Sequence, residues 1–208
     1  MEQNSKPKLL VTILNQGWIV PELADAQHLL LSDKRAETKV VHLCMSPSET
    51  ARNTAVKMML DGGYDWLLTI DHDQIVLRNP IDLLFLEKDI IGFAIPQWNM
   101  SDPNYPIYVV GMDKNEDGYA EHKTREGLQA VDAVGSGCLL MSRKVLEQVK
   151  APFMRKWNED GIAITGLDFY FCEKAKDLGF QPYCHYDYAA DHFKEVRLLD
   201  VLKFKHGK

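Results

Sequence analysis

The stretch LLTIDHDQIV, from Leu67 to Val76, places two aspartates directly after a run of apolar residues. The apolar run predicts a buried strand, with Asp71 and Asp73 at or just past its end. Because side chains two residues apart lie on the same face of an extended segment, both carboxylates are expected to point at one spot. Two like charges that close are costly unless a cation or a proton lies between them.

Three interpretations of this DxD tripeptide compete. It forms a polar turn at the end of a strand, since Asp is an ordinary turn residue. It binds a divalent metal for a phosphate-bearing substrate, because Mg²⁺ and Mn²⁺ prefer carboxylate oxygens. Or it is the strand-end motif of a phosphatase of the haloacid dehalogenase type, in which one aspartate is the nucleophile. The tripeptide is short and common, so the surrounding sequence has to decide.

The composition is that of an ordinary globular protein. The 208 residues, 46% hydrophobic and 26% charged, suit one domain with a substantial core. A formal charge of −6 argues against a general nucleic-acid binder. The sequence has no apolar run of the ~20 residues that span a bilayer, no apolar signal region at its start and no CxxC pair. We therefore expect no transmembrane segment, a cytoplasmic location and free thiols, with Cys44 and Cys138 buried.

The segments around the motif alternate between strands and helices. Strands are predicted at Lys8 to Asn15, Lys39 to Met45 and Asp89 to Pro96. Between them, one helix has Leu29 on its buried face, and a second begins with a capping box from Ser46 to Glu49. This order predicts an α/β fold with a largely parallel sheet, in which ligands bind at the carboxyl ends of the strands. Asp71 and Asp73 lie at such an end, which favours a binding site over a plain turn.

The second half of the chain has a polar stretch, a glycine-marked strand and a further helix. The polar stretch from Lys114 to Gly127 predicts a hairpin or loop. The strand runs from Val134 to Ser142. The helix has Asp168 in its cap or first turn and Gly179 at its end.

Four segments, taken in order, resemble a glycosyltransferase of the GT-A fold, similar to the family-2 group of small nucleotide-sugar transferases. They are ARN at Ala51 to Asn53, DHD at Asp71 to Asp73, VGSGCLLMSRKVL at Val134 to Leu146, and GLDFYFCEKAKDLGF at Gly166 to Phe180 with His192 beyond it. The resemblance covers nearly the whole chain and is more specific than a lone DxD. It implies a single α/β domain of Rossmann-like GT-A fold, with a mostly parallel sheet flanked by helices and a small antiparallel part.

The resemblance also divides the chain and gives its charged residues roles. Residues 1–100 would bind the nucleotide sugar, 101–193 the acceptor, and 194–208 would be a basic helix or tail. Asp71, Asp73 and His192 would form a site for Mn²⁺ or Mg²⁺, with Asp73 bound directly and Asp71 holding the metal's water shell or the donor ribose. Asp168 matches the general base of inverting members. Leu167 stands where the family usually has a glutamate, which removes a polar partner of that base.

The remaining predicted site residues bind the donor or the acceptor. Thr12, Leu14 and Asn15 would line the nucleobase pocket, as their position does in the family. Arg52 is suited to a phosphate through its planar fork, and Asn53 belongs to the same donor-binding motif. On the acceptor side, Gly135, Ser136 and Gly137 let the backbone approach sugar hydroxyls closely. Trp98 is either a sugar-stacking platform or a core residue, and the polar loop is expected to help choose the acceptor.

The predicted function is transfer of a hexose from a nucleotide diphosphate sugar, such as a UDP- or GDP-sugar, to a hydroxyl. The acceptor stays open: a glycan, a lipid-linked sugar, a protein, a small molecule or a hydroxylated nucleic-acid base. Two alternatives remain, a nucleotide-sugar-binding protein without turnover and, less favoured, the phosphatase, whose DxD would follow the first strand. A zinc site is not supported, because no second cysteine pair completes a tetrahedral set.

Overall fold

The computed structural model describes residues 5–98 and 107–195. Its first half alternates strands and helices: β1 (Lys8–Asn15), α1 (Glu22–Ser32), β2 (Glu37–Cys44), α2 (Ser48–Asp61), β3 (Trp66–Asp71), β4 (Gln74–Val76), a 3-10 helix (Pro80–Phe85), β5 (Ile90–Ala94) and β6 (Pro96–Trp98). The predicted strands and helices of this half therefore exist, with bounds within a few residues of those expected.

The second half contains short strands and two helices. They are β7 (Ile107–Val109), β8 (Gly111–Asn115), β9 (Gly118–Glu121), β10 (Leu128–Ala130), β11 (Ala133–Val134), β12 (Cys138–Ser142), α3 (Arg143–Leu146), β13 (Lys156–Trp157), β14 (Ala163–Thr165), α4 (Leu167–Asp177) and β15 (Pro182–His192). The polar stretch from Lys114 to Gly127 forms the β8–β9 hairpin and the segment that follows it.

The central sheet has the strand order β10-β15-β5-β12-β3-β1-β2, and β4 pairs with the far end of β15. The strands β2, β1, β3, β5 and β15 run in one direction, while β12 lies antiparallel between β3 and β5 and β10 lies antiparallel to β15. Small antiparallel sheets, β6–β7, β8–β9–β11 and β13–β14, lie beside it. The prediction of a mostly parallel sheet with a small antiparallel part is confirmed.

Apolar side chains fill both faces of the sheet. In β1, Leu10 packs into a core with α2, α3 and α4, whereas Leu9 and Val11 pack into a second core with α1 and the 3-10 helix. This alternation follows from the period of two in a strand and gives the sheet two covered faces. The sheet is thereby held as a middle layer, and its carboxyl-end edge stays open.

Three local predictions are wrong. Leu29 is 43% exposed, since α1 turns only Leu23, Ala26 and Leu30 fully inward. Cys44 is exposed, because β2 is an edge strand with one open face, although Cys138 is buried as predicted. The capping box does not form: α2 begins at Ser48 after Pro47 without a side-chain cap, and the Glu49 carboxylate pairs with Arg155 instead.

Within the part of the chain that the structure describes, every helix is too short or too polar to cross a membrane. The predicted basic tail lies almost entirely outside the described residues, which end at residue 195.

Candidate functional site

A cavity of about 970 Å³ opens at the carboxyl-end edge of the sheet. It brings together residues from distant parts of the sequence. The predicted site residues that line it are Asp71, Trp98, Gly135, Ser136, Gly137, Asp168 and His192. The predicted metal-binding, acceptor-binding and general-base residues therefore line one cavity, with the exception of Asp73.

Asp71 is the last residue of β3 and is held by Arg52 of α2. The Arg52 Nη2 donates to both carboxylate oxygens at 2.7 Å, and the same nitrogen is 3.3 Å from the Ser136 carbonyl. Arg52 is 5% exposed, so this ion pair is largely desolvated. Burial raises the pKa of the Asp71 carboxyl, and the Arg52 guanidinium offsets this only in part. Arg52, predicted to meet a phosphate, thus contacts Asp71 in the structure.

Asp73 lies in the turn between β3 and β4 and has different partners. Its Oδ2 is 3.0 Å from His192 Nε2 and accepts from Lys194 Nζ at 2.8 Å. Partial burial acts to raise the pKa of Asp73, but hydrogen bonds from His192 and Lys194 outweigh it and hold that pKa well below its ordinary value. Asp73 is therefore a charged carboxylate with protein partners of its own.

The expectation that both carboxylates point at one spot stays a prediction, and the strand geometry on which it was based does not extend to Asp73. The strand ends at Asp71, and residues 72–73 form a turn before β4 begins. The strand's alternation of faces stops there, so the spacing of two no longer fixes a shared direction. The turn itself is bonded on both sides: Val20 N–H donates to the His72 carbonyl at 2.9 Å, and Phe193 N–H to the Asp73 carbonyl at 2.8 Å.

His192 is oriented as a metal-binding histidine usually is. Its Nδ1 lies 3.0 Å from the Pro96 carbonyl, which can only accept, so Nδ1 carries a hydrogen. Nε2 lies 3.0 Å from Asp73 Oδ2 and carries a hydrogen when it donates to that carboxylate, and a bound cation would take the place of this hydrogen. Asp73 and His192 therefore suit a divalent cation, whereas both Asp71 oxygens are engaged by Arg52. Among residues 5–98 and 107–195, no cluster of three acidic, His or Cys side chains is arranged as a metal site. The three-residue metal set stays a prediction.

Asp168 is the second residue of α4 and lines the cavity. Its Oδ1 accepts from the Phe169 N–H at 3.0 Å. Burial raises the pKa of the Asp168 carboxyl, and the backbone N–H groups of Phe169, Asp168 itself and Ser136 offset only part of that effect. Gly166 before it leaves room, because a Cβ there would lie 2.8 Å from Asp168 Oδ1. A residue with a side chain at position 166 would therefore clash with the Asp168 carboxylate in its observed position.

The Gly135-Ser136-Gly137 segment joins the two acidic parts of the site. A Cβ on Gly137 would lie 3.5 Å from Asp71 Oδ2 and 3.3 Å from the Ile95 side chain. The Gly137 carbonyl also accepts from the Asp71 N–H at 2.7 Å. The Gly137 backbone therefore lies close to Asp71 and Ile95, while the predicted approach of these glycines to sugar hydroxyls stays a prediction.

The other predicted donor residues lie outside this cavity. Thr12 is fully buried and Leu14 is 5% exposed, so neither side chain offers a surface to a ligand. Asn15 uses its side-chain oxygen on the Gly17 N–H at 3.0 Å. Asn53 binds the Phe153 backbone with both amide atoms, at 2.8 and 3.2 Å. The donor-binding roles of these four stay predictions without support from side-chain placement.

Residues that the sequence did not single out complete the site. Gln74 lines the cavity and is 1% exposed, and Glu121 of the β8–β9 hairpin also lines it. Lys194 reaches Asp73, and Trp18 packs its ring edge on His72 with centroids 4.4 Å apart. Gln74 could have been predicted as a site residue, because it directly follows the DHD motif in the sequence. Lys194 could not have been predicted in this way, because 121 positions separate it from Asp73.

No protein-family model and no curated protein matches this chain in sequence. Solved structures that share its fold include A197 from STIV and GalNAc-T7. A197 from STIV is 19% identical, with a TM-score of 0.61 over 90% of this chain and 86% of that chain. GalNAc-T7, solved with UDP, GalNAc and Mn²⁺, is 14% identical, with a TM-score of 0.55 over 99% of this chain and 48% of that chain.

This chain therefore spans about half the length of GalNAc-T7. At these identities the likeness concerns the fold alone. The predicted Rossmann-like GT-A fold is confirmed, with a mixed α/β sheet flanked by helices and small antiparallel sheets.

Proposed function

We propose that the protein is a glycosyltransferase that moves a hexose from a nucleotide diphosphate sugar, UDP- or GDP-linked, to a hydroxyl acceptor. One observation carries the proposal: a single cavity on a GT-A fold is lined by Asp71, the Gly135–Gly137 segment and Asp168. The GalNAc-T7 structure with UDP, GalNAc and Mn²⁺ gives the class of ligand that this fold accommodates.

Asp168 has the properties of the general base. Its carboxyl lines the cavity and its pKa is raised by burial, which makes the ionised form a stronger proton acceptor. In the proposed step the acceptor oxygen forms a bond to the anomeric carbon, and its proton passes to Asp168. The bond from that carbon to the phosphate oxygen breaks, and the nucleoside diphosphate leaves with the electron pair.

A divalent cation, Mn²⁺ or Mg²⁺, would be held by Asp73 and His192 and would stabilise the charge of the diphosphate leaving group. The role of Asp73 and His192 would be to hold the cation and, through it, the diphosphate. Asp71, whose charge is balanced by Arg52, would instead bind donor hydroxyls.

The β8–β9 hairpin is proposed to help choose the acceptor. Tyr119 and Glu121 of that hairpin line the cavity, as do Tyr108 and Phe169. Aromatic faces and a carboxylate are suited to a sugar or another polyhydroxylated acceptor. Replacing Tyr119 and Glu121 with alanine would leave the acceptor range unchanged if this assignment is wrong.

The test has two stages because the acceptor is unidentified. A thermal-shift panel of nucleotide diphosphate sugars, each with and without Mn²⁺, is expected to raise the melting temperature for one donor. Release of nucleoside diphosphate from that donor, with water or a panel of glycan acceptors, then measures turnover. Asp168→Asn should lower the release rate by about 10²–10⁴-fold while the donor-induced melting shift persists.

The matched control is Asp177→Asn, the same substitution at an exposed acid on the same helix. It should leave the release rate unchanged. Donor binding without release in any wild-type reaction would favour a nucleotide-sugar-binding protein. No shift with any donor would contradict the proposal and reopen the phosphatase alternative.

A further inference from the structure

The two motif carboxylates are already balanced by cations of the protein. Asp71 pairs with Arg52 at 2.7 Å, and Asp73 pairs with Lys194 at 2.8 Å. The charge repulsion that makes a DxD motif attract a divalent ion is thus offset within this chain. The ammonium of Lys194 is near where such an ion would bind Asp73.

The backbone fixes Lys194 at this place. Phe193 N–H donates to the Asp73 carbonyl, and His192 beside it contacts both Pro96 and the Asp73 carboxylate. The last residue of β15 and the two residues that follow it therefore all contact Asp73. A lysine on a loosely placed tail would have no such anchoring.

The side chain of Lys194 is also accessible. It is 43% exposed, while Asp73 is 15% and His192 9% exposed. An ammonium has three donors on a flexible stem, and the described structure uses one of them on Asp73. Lys194 can therefore turn from the carboxylate to an anion bound beside Asp73 without breaking a buried network.

We propose that Lys194 is a built-in cation that binds the diphosphate of the nucleotide sugar and competes with a divalent ion for Asp73. The inference rests on the proposed function for the identity of the anion. The inference goes beyond the proposed function because it has Lys194 stabilise part of the charge of the diphosphate leaving group. Diphosphate binding should therefore persist when metal is removed.

The competition follows from electrostatics. An ammonium within hydrogen-bonding distance of Asp73 repels a second cation on the same carboxylate. A charge-assisted hydrogen bond to phosphate has the strength to replace the one that Lys194 gives up. Removing the ammonium should thus weaken diphosphate binding in chelator and strengthen Mn²⁺ binding.

The experiment uses inorganic pyrophosphate, UDP and GDP as probes, so that no sugar or base has to be known. Calorimetric titrations in chelator and in Mn²⁺ compare the full chain with its Lys194→Met and Lys194→Arg variants. Lys194→Met should weaken pyrophosphate binding in chelator by about tenfold or more, and Lys194→Arg should retain most of it. Electron paramagnetic resonance of free Mn²⁺ should show tighter metal binding by Lys194→Met.

The control is Lys57→Met, an exposed lysine of α2 that pairs with Asp61. It should bind both probes as the unaltered protein does, and its melting temperature checks folding, as does that of each Lys194 variant. If Lys194→Met does not fold, Lys194→Gln and Lys194→Arg carry the comparison. Pyrophosphate and nucleotide binding that requires Mn²⁺ and is equal in all variants overturns the inference while the proposed function stands. No binding by the unaltered protein under either condition overturns both.

Discussion

Asp71 and Asp73 are two residues apart and have opposite surroundings. Asp71 ends a buried strand against Arg52, and its pKa is raised by burial. Asp73 lies in a turn against His192 and Lys194, and its pKa is lowered by their hydrogen bonds. The same side chain thus serves as a partly desolvated group in one place and as a charged anchor in the other.

The difference shows that the two acids of a short motif can have separate protein partners. The first acid belongs to the sheet and to α2, whose Arg52 is 19 positions away in sequence. The second belongs to the end of β15, whose His192 is 119 positions away. The cations facing each acid, and not the spacing between the acids, decide its chemistry.

The largest expected effect comes from breaking the Asp71 pair. Arg52→Met leaves the partly buried Asp71 carboxylate without its cation and should reduce the free energy of unfolding by about 2 kcal/mol, between the values for exposed and buried pairs. Lys57→Met on the same helix removes an exposed pair and should cost less than about 1 kcal/mol. Urea unfolding measures both. The double variant Arg52→Met/Asp71→Asn should recover part of the loss. If Arg52→Met and Lys57→Met are equally stable, the Arg52–Asp71 pair contributes nothing to stability.

The pH dependence of stability should have opposite signs at the two acids. The raised pKa of Asp71 means that its contribution is complete below the ordinary value of 3.8 and is lost as pH rises through the folded pKa. The lowered pKa of Asp73 means that its contribution is present above 3.8 and is lost as pH falls below it.

Urea titrations of the unaltered protein, Asp71→Asn and Asp73→Asn across the acid range measure this comparison. The stability difference between the unaltered protein and Asp71→Asn should fall as pH rises above 3.8, and that for Asp73→Asn should rise with pH and then level. Parallel curves for the two variants would mean that the two acids share one environment.

The smallest effect concerns Asp168. Burial raises its pKa, as it does that of Asp71, but no arginine donates to Asp168 among the described hydrogen bonds. Since its ionised form is disfavoured by burial, Asp168→Asn should raise the free energy of unfolding at neutral pH by about 1 kcal/mol or less. Asp177→Asn should change it by less than about 0.5 kcal/mol. Thermal unfolding distinguishes the two. A clear loss of stability in Asp168→Asn would place Asp168 among the structural caps instead.

The sequence was sufficient for what depends on neighbours along the chain. The apolar periods predicted β1, α1, α2, β5, β12 and α4 because a strand or helix buries residues at its own repeat. The insertion of β12 between β3 and β5 was not predicted, since strand pairing joins residues about 70 positions apart. Lys194 and Glu121 were missed for the same reason. The nucleobase role of Thr12 rests on the family resemblance and stays a prediction, and its full burial is a property that strand periodicity does not supply.

The backbone bonds at the DHD turn have a consequence for folding. Val20 reaches this turn from near the start of the chain and Phe193 from near the end of the described part, so its hydrogen bonds close after long stretches of chain have been ordered. Contacts of such high sequence separation form late, because loop closure has to come first. The parallel core of β1, β2 and β3 can assemble while Asp73 still faces water. Competence to bind a ligand at Asp73 would then depend on the docking of the end of β15, far along the chain from the acid itself.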